Sequence, residues 1–188
     1  MMERLGNLFF WLGAAIWIAM ITTVAIAAMH AFPTLRDMPM TVEQYANYTG
    51  DPHGLLAAGH VMRGIFETTD IGQAIAAGLS VLGAGLGLIG ARGVGQRGRL
   101  PCALLAATLL AVYWGGVRGE TYAALDAKWA AAAAGDHAAA AAATDTFDAL
   151  HQRAERQLRL IGVVVLTMTI AGSLGAPVAR RSAAGGRG

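Results

Sequence analysis

Four apolar runs without Asp, Glu, Lys, Arg or His organise the chain: residues 8–29, 71–91, 100–117 and 160–176. Each is about long enough to cross a ~30 Å hydrocarbon core at ~1.5 Å per helical residue. The pattern predicts an all-α, single-domain protein, a four-span transmembrane helix bundle of antiparallel neighbours. The first run follows Arg4 and contains Ala25-Ile26-Ala27, which resembles a cleavage site. It exceeds the ~7–15 apolar residues of a signal peptide, so it reads as a first span.

The segments between the runs refine the boundaries. Pro33 predicts that the first helix stops near Phe32. Pro39, Gly50, Asp51 and Pro52 predict a loop over 34–52, with a short helix around 42–48. The second helix is expected from about 52–55 to 91. A third is expected from Pro101, a favourable first-turn residue, to Gly135-Asp136, weakened or kinked by Gly115, Gly116 and Gly119. A fourth is expected from His137 to about 175–177. Helices of more than about 33 residues reach ~50 Å, so helices two to four should outrun the lipid on one side. Their projecting part is a hairpin at about 118–159. Its Ala-rich tract, 122–146, reads as helix rather than disorder, because alanine propensity agrees with the placement of Leu125, Trp129, Phe147 and Leu150.

Charge then assigns the sides. Only 14% of the residues are charged, well under the ~25% usual for soluble domains, so lipid is the expected solvent. Eleven of the twelve acids and all five histidines fall in two segments, 30–70 and 118–159. Seven arginines crowd the N-terminal segment, the loop 92–99 and the tail after Pro177, with Glu3 as the only acid there. Basic residues in short loops near span ends mark the cytoplasmic face. Both termini are therefore expected inside and the acidic segments outside. Arginine dominates lysine, and Ala and Gly abound, which suggests a GC-rich bacterial genome and an inner membrane. Cys102 stands alone, so no internal disulfide is possible, and it reads as a small buried residue.

Inside the membrane, Gly83 and Gly87 form a small-xxx-small pair, and Ala76, Ser80 and Ala84 repeat small residues at four-residue spacing. Such faces let helix backbones approach, and an internal helix contact is expected in preference to a self-dimer. Trp11, Trp17, Tyr113 and Trp114 read as interface anchors and packing residues. No run carries a charge through its centre, which disfavours an ion-coupled pump.

The acidic side carries helical stripes. His60, Arg63, Glu67 and Asp70 share one face of the second helix; Asp148, His151, Glu155 and Arg159 share one face of the fourth. The third adds Arg118, Glu120, Tyr122 and Asp126. Three readings stand side by side. In the first, Arg63 and Arg159 pair with Glu67, Asp70, Glu120 and Glu155 in a salt-bridged bundle. In the second, His60 and His151 ligate haem or a transition metal, with Glu67 or Glu155 completing a shell. In the third, a cleft binds a small polar or lipid-headgroup ligand, with Arg36 and Arg63 as anion partners. His53 and His137, at helix starts, are expected to be exposed. No nucleophile elbow, P-loop, zincin motif or cysteine pair is present, and nothing marks nucleic-acid binding.

Several short motifs recur in an order that resembles a known family. They are Trp11-Leu12-Gly13, Phe32-Pro33, Ala58-Gly59-His60 leading into Arg63-Gly64-Ile65-Phe66, and Phe147-Asp148-Ala149-Leu150-His151. This is similar to small bacterial four-span proteins of unknown function, related to the transmembrane-protein-205-like proteins of eukaryotes. A looser likeness is to the four-span domain of copper-resistance membrane proteins. The resemblance implies a four-helix membrane bundle, no established biochemistry and, through the looser likeness, some support for metal. The Ala-rich hairpin 122–146 departs from the family. The expectation is a non-catalytic accessory or scaffold protein of the bilayer, an oligomer or a subunit among other membrane proteins. The alternatives are the metal or haem module and a small-molecule or lipid permease.

Overall fold

Each apolar run is built into a helix in a computed structural model, which describes residues 1–89 and 94–174. In chain order these are α1 (Met2–Arg36), a 3-10 turn (Glu43–Tyr45), α2 (His53–Leu88), α3 (Val94–Gly115), α4 (Val117–Ala133) and α5 (His137–Leu174). No strand occurs among the described residues. Three helical paths are long and apolar enough to cross a membrane: α1, α2 and the α3–α4 path from Arg97 to Ala133. The fourth expected span is not among them. Arg156 and Arg159 directly precede the apolar stretch of α5. The end of that run at 175–176 lies outside the described residues, as do residues 90–91 of the second run, 92–93 of the basic loop and the tail.

The helices pack around the chain order. α1 lies along α2 in the most extensive interface, α2 meets α3, and α5 packs on α3, α4 and α1. Phe10, Ala14, Trp17, Ala103, Ile161 and Met168 are fully or almost fully buried at the centre. Leu8, Ile26, Ile71, Ile75, Val112, Val163 and Ile170 face outward. A soluble bundle would carry polar residues at these outward positions, so the surface fits a lipid surround.

The α1–α2 seam is made by glycine. A methyl at Gly83 would strike the backbone nitrogen of Phe10 and the carbonyl of Gly6. One at Gly6 would strike the backbone of Gly83 and Gly87, and one at Gly13 the carbonyl of Ala76 and the hydroxyl of Ser80. Near the other end, a methyl at Gly54 would strike the carbonyl of Leu35. The expected internal contact of the Gly83–Gly87 face is therefore present, and its partner is α1. Lipid tails supply no hydrophobic drive for helix pairing, so close backbone dispersion contacts have to hold the seam. Across it, the buried Trp17 indole donates to Gln73 Oε1 at 3.3 Å.

Three boundary expectations are corrected. Pro33 does not stop α1, which runs three residues further to Arg36. Pro33 is exposed there, and its missing N–H removes one bond of the helix, the one to the Met29 carbonyl. Pro101 is not a first-turn residue, because α3 begins at Val94. The third helix is not continuous: Gly116 (φ −137°, ψ −87°) separates α3 from α4. Arg99, expected in a plain basic loop, is instead only 3% exposed and ties three helices together. It donates to Asn7 Oδ1 at 2.5 Å and the Gly172 carbonyl at 2.8 Å, and lies 4.7 Å over the Phe10 ring.

The seam makes a direct prediction. Gly83→Ala should lower stability by about 1–3 kcal/mol through overpacking against backbone that cannot yield. Gly78→Ala, whose methyl would meet open space, should stay within about 0.5 kcal/mol. Reversible unfolding in mixed micelles measures both.

Candidate functional site

The chemically rich residues gather at one end of the bundle, where α2, α4, α5 and the α1–α2 loop meet. Local sequence sets the hairpin there. Gly135 adopts φ 71°, and the backbone N–H groups of Gly135 and Asp136 bond to the carbonyls of Ala132 and Ala131 at 3.1 and 3.0 Å. This is a Schellman stop for α4. Asp136 then caps α5, its Oδ1 accepting from the Ala139 N–H at 2.9 Å. Two residues thus reverse the chain and lay α5 against α4.

Two ion-pair groups join α2 to α4. Asp70 is 1% exposed and accepts from Arg118 Nε at 2.5 Å and from the Tyr122 hydroxyl at 3.3 Å. Arg118 also stacks over Tyr122 and Trp114, at 4.7 and 5.3 Å from the ring centres. One turn higher, Arg63 bonds Glu67 at 3.0 Å and Asp126 across the interface, with Tyr122 4.9 Å beneath it. Both guanidiniums are therefore neutralised by carboxylates and backed by aromatic faces.

A third group holds the loop 37–52 onto the helices. The His60 ring stacks on Trp129 with 3.7 Å between ring centres, and its Nε2 lies 2.6 Å from the Tyr45 hydroxyl. Burial and the neighbouring Arg63 lower the His60 pKa, against a smaller opposing effect of Asp126. Burial raises that of Tyr45. The imidazole tautomer sets which of the two donates, since a phenol can give or take the hydrogen. His53 Nδ1 accepts from the Val42 N–H at 3.0 Å. Its Nε2–H then donates to the Tyr48 carbonyl at 3.0 Å. Tyr48 stacks on His137, and Asp51 pairs with Lys128 at 3.0 Å. Tyr45, Tyr48, Leu56, Trp129, Ala132 and Ala140 form a small second core under these contacts.

The residues expected to form a site are divided among these groups. Glu67, Arg63 and Asp70 come together with Arg118 and Asp126 on the α2–α4 face. His60 is engaged by the loop. His151 is elsewhere, stacked on Phe147 and 3.7 Å from Glu155. Glu155 also takes Arg159 at 2.9 Å. Arg36, Glu120 and Asp148 are exposed and make no ion pair among the described residues. No group of three or more His, Cys, Asp or Glu side chains is placed to hold a metal ion among the described residues. His53, expected to be exposed, is half-buried and bonded through both ring nitrogens; His137 is exposed but stacked. The loop residues Tyr45 and Tyr48 were missed as partners. Their signal is faint: two aromatics three apart in a loop that also carries Met38, Met40 and Val42. Searches against protein-family models, curated proteins and solved structures found no match to this chain.

The two kinds of ion pair should behave differently on substitution. Asp70→Asn leaves Arg118 partly buried without its charge partner and should destabilise by at least about 2 kcal/mol, discounted from the value for a fully buried pair because Arg118 is partly solvated. Glu155→Gln removes an exposed pair and should change stability by less than about 1 kcal/mol. Thermal or denaturant unfolding in one detergent compares them.

Proposed function

We propose that the chain is a non-catalytic accessory or scaffold subunit of a bacterial inner membrane, working as an oligomer or beside other membrane proteins. In this reading α5 is the fourth span, because Leu160, Val163, Leu166 and Ile170 are exposed along its apolar part. Both termini lie in the cytoplasm, following the arginine distribution, and the family resemblance of the short motifs is consistent with a four-span bundle. At 36 and 38 residues, α2 and α5 are each ~55 Å long. They exceed the hydrocarbon core by more than ~20 Å and project outside with α4.

One observation carries the functional reading. The polar groups that face inward are spent on structural pairs, while the outer face of the α4–α5 hairpin is charged and unoccupied. On α5, Asp148, Arg153 and Arg156 are exposed and form no ion pair among the described residues. Rim charges of this kind set partner choice and encounter rate more than raw affinity.

Purification from native membranes in mild detergent tests the proposal. A stoichiometric partner or a self-oligomer should co-purify, and its yield should fall at least about tenfold with Asp148→Lys and Arg156→Glu together, a loss of ~1.4 kcal/mol or more. A lone monomer by light scattering would sink the reading.

A further inference from the structure

α2 and α3 do not close on each other along their apolar parts. Between them lies an apolar groove of about 370 Å³, lined by Ala74 and Ala77 of α2 and by Ala107, Leu110, Ala111 and Trp114 of α3. Ala77 and Leu110 are buried, while Ala74, Ala111 and Trp114 are exposed, so the groove opens to the lipid side. An apolar hollow does not hold water, and left empty its lining forfeits dispersion contacts. We propose that this groove seats one acyl chain of a zwitterionic phospholipid, whose phosphate bonds the free edge of the Arg118 guanidinium.

The polar end of the groove supplies the headgroup contact. Trp114 lines the groove, and the Arg118 guanidinium lies 5.3 Å from its ring centre, with Tyr122 at 4.7 Å. Asp70, the partner of Arg118, precedes the lining residue Ala74 by one helical turn. The guanidinium therefore stands at the mouth of the groove, where the helices leave lipid. Arginine carries five N–H donors. Asp70 takes the one on Nε, and the other four make no hydrogen bond among the described residues. The side chain is 27% exposed, so a ligand can reach that edge. A planar fork of N–H groups matches two oxygens of one phosphate.

Charge selects the headgroup. The joint above the groove holds Arg63 and Arg118 against Glu67, Asp70 and Asp126, two positive groups and three negative. That one excess negative charge opposes a headgroup of net negative charge. It favours one in which an ammonium follows the phosphate. An apolar helix of another chain laid in the groove would leave the four free donors of Arg118 unanswered, whereas a phospholipid supplies both the apolar chain and the acceptor. The site does not depend on the scaffold reading, since it requires no protein partner.

Native mass spectrometry of the full chain in mild detergent, titrated with dioleoylphosphatidylethanolamine or dioleoylphosphatidylglycerol, tests the proposal. The ethanolamine lipid should be retained at one molecule per chain, at least about fivefold more tightly than the glycerol lipid. Ala111→Leu fills the groove from an exposed position and should weaken that retention at least about tenfold. Gly78→Ala, which does not line the groove, should leave it unchanged. No retained lipid, an equal or reversed preference, or undiminished retention by Ala111→Leu overturns the proposal. A dimeric parent that Ala111→Leu turns monomeric gives the groove to a second chain and overturns it as well. Should Ala111→Leu not fold, Arg118→Lys decides. It keeps a charge beside Asp70 without the planar fork and should lose at least about fivefold in retention. Retention equal to the parent's overturns the assignment to Arg118.

Discussion

The close approach of α1 and α2 is the constraint on which the rest of the structure depends. Gly6, Gly13 and Gly83 remove the side chains that would hold the two backbones apart. The pairing brings Trp17 onto Gln73 and packs Phe10 beneath Arg99. It also fixes the two ends of the loop 37–52, since Gly54 meets the Leu35 carbonyl just where that loop begins and ends. A loop tethered at both ends by helices in contact has little entropy left to lose on docking. That is why a few hydrogen bonds from histidine and tyrosine suffice to hold it.

The polar end is ordered by a different principle. There the helices leave a surround that cannot hydrogen-bond and enter one that can, and charged groups become affordable in pairs. Asp70 marks the change, almost wholly buried and held by Arg118 and Tyr122. Above it the pairs become more exposed, from Arg63 with Asp126 to Glu155 with Arg159. Chemistry that resembled a ligand site as a list of residues becomes, as geometry, a joint between α2 and α4. Asp148, Arg153 and Arg156 on α5 are exposed and outside the ion pairs of the described residues, and that division supports the scaffold reading over a buried reaction centre.

Much of this was legible in the sequence because the signals are periodic. Apolar runs, the Gly83–Gly87 spacing and the start of α5 after Asp136 depend on neighbours within a turn or two. The salt-bridged stripe on α2 was legible for the same reason: residues three and four apart share a face whatever packs on it. What escaped needed a third dimension. Pro33 and Pro101 lie inside α1 and α3 rather than at their ends, which no local rule reveals. His60 and His151 looked like two members of one site because each lies on a comparable stripe. Trp129 and Tyr45 claim the first, while Phe147 and Glu155 hold the second. Arg99 looked like one more cytoplasmic charge, and only the tertiary fold shows it enclosed by Asn7, Phe10 and Gly172.

The central claim is that α2 is one helix with two solvents, water before Asp70 and lipid after it. A collision scan of nitroxides in bilayers tests it most directly, at the exposed positions Val61, Gly64, Thr68, Ile71, Ile75 and Leu82. Accessibility to a water-soluble nickel complex should be high at the first three. It should give way to oxygen accessibility by Ile75 and stay low at Leu82. Six positions with one uniform accessibility, all aqueous or all lipid-like, would contradict the account.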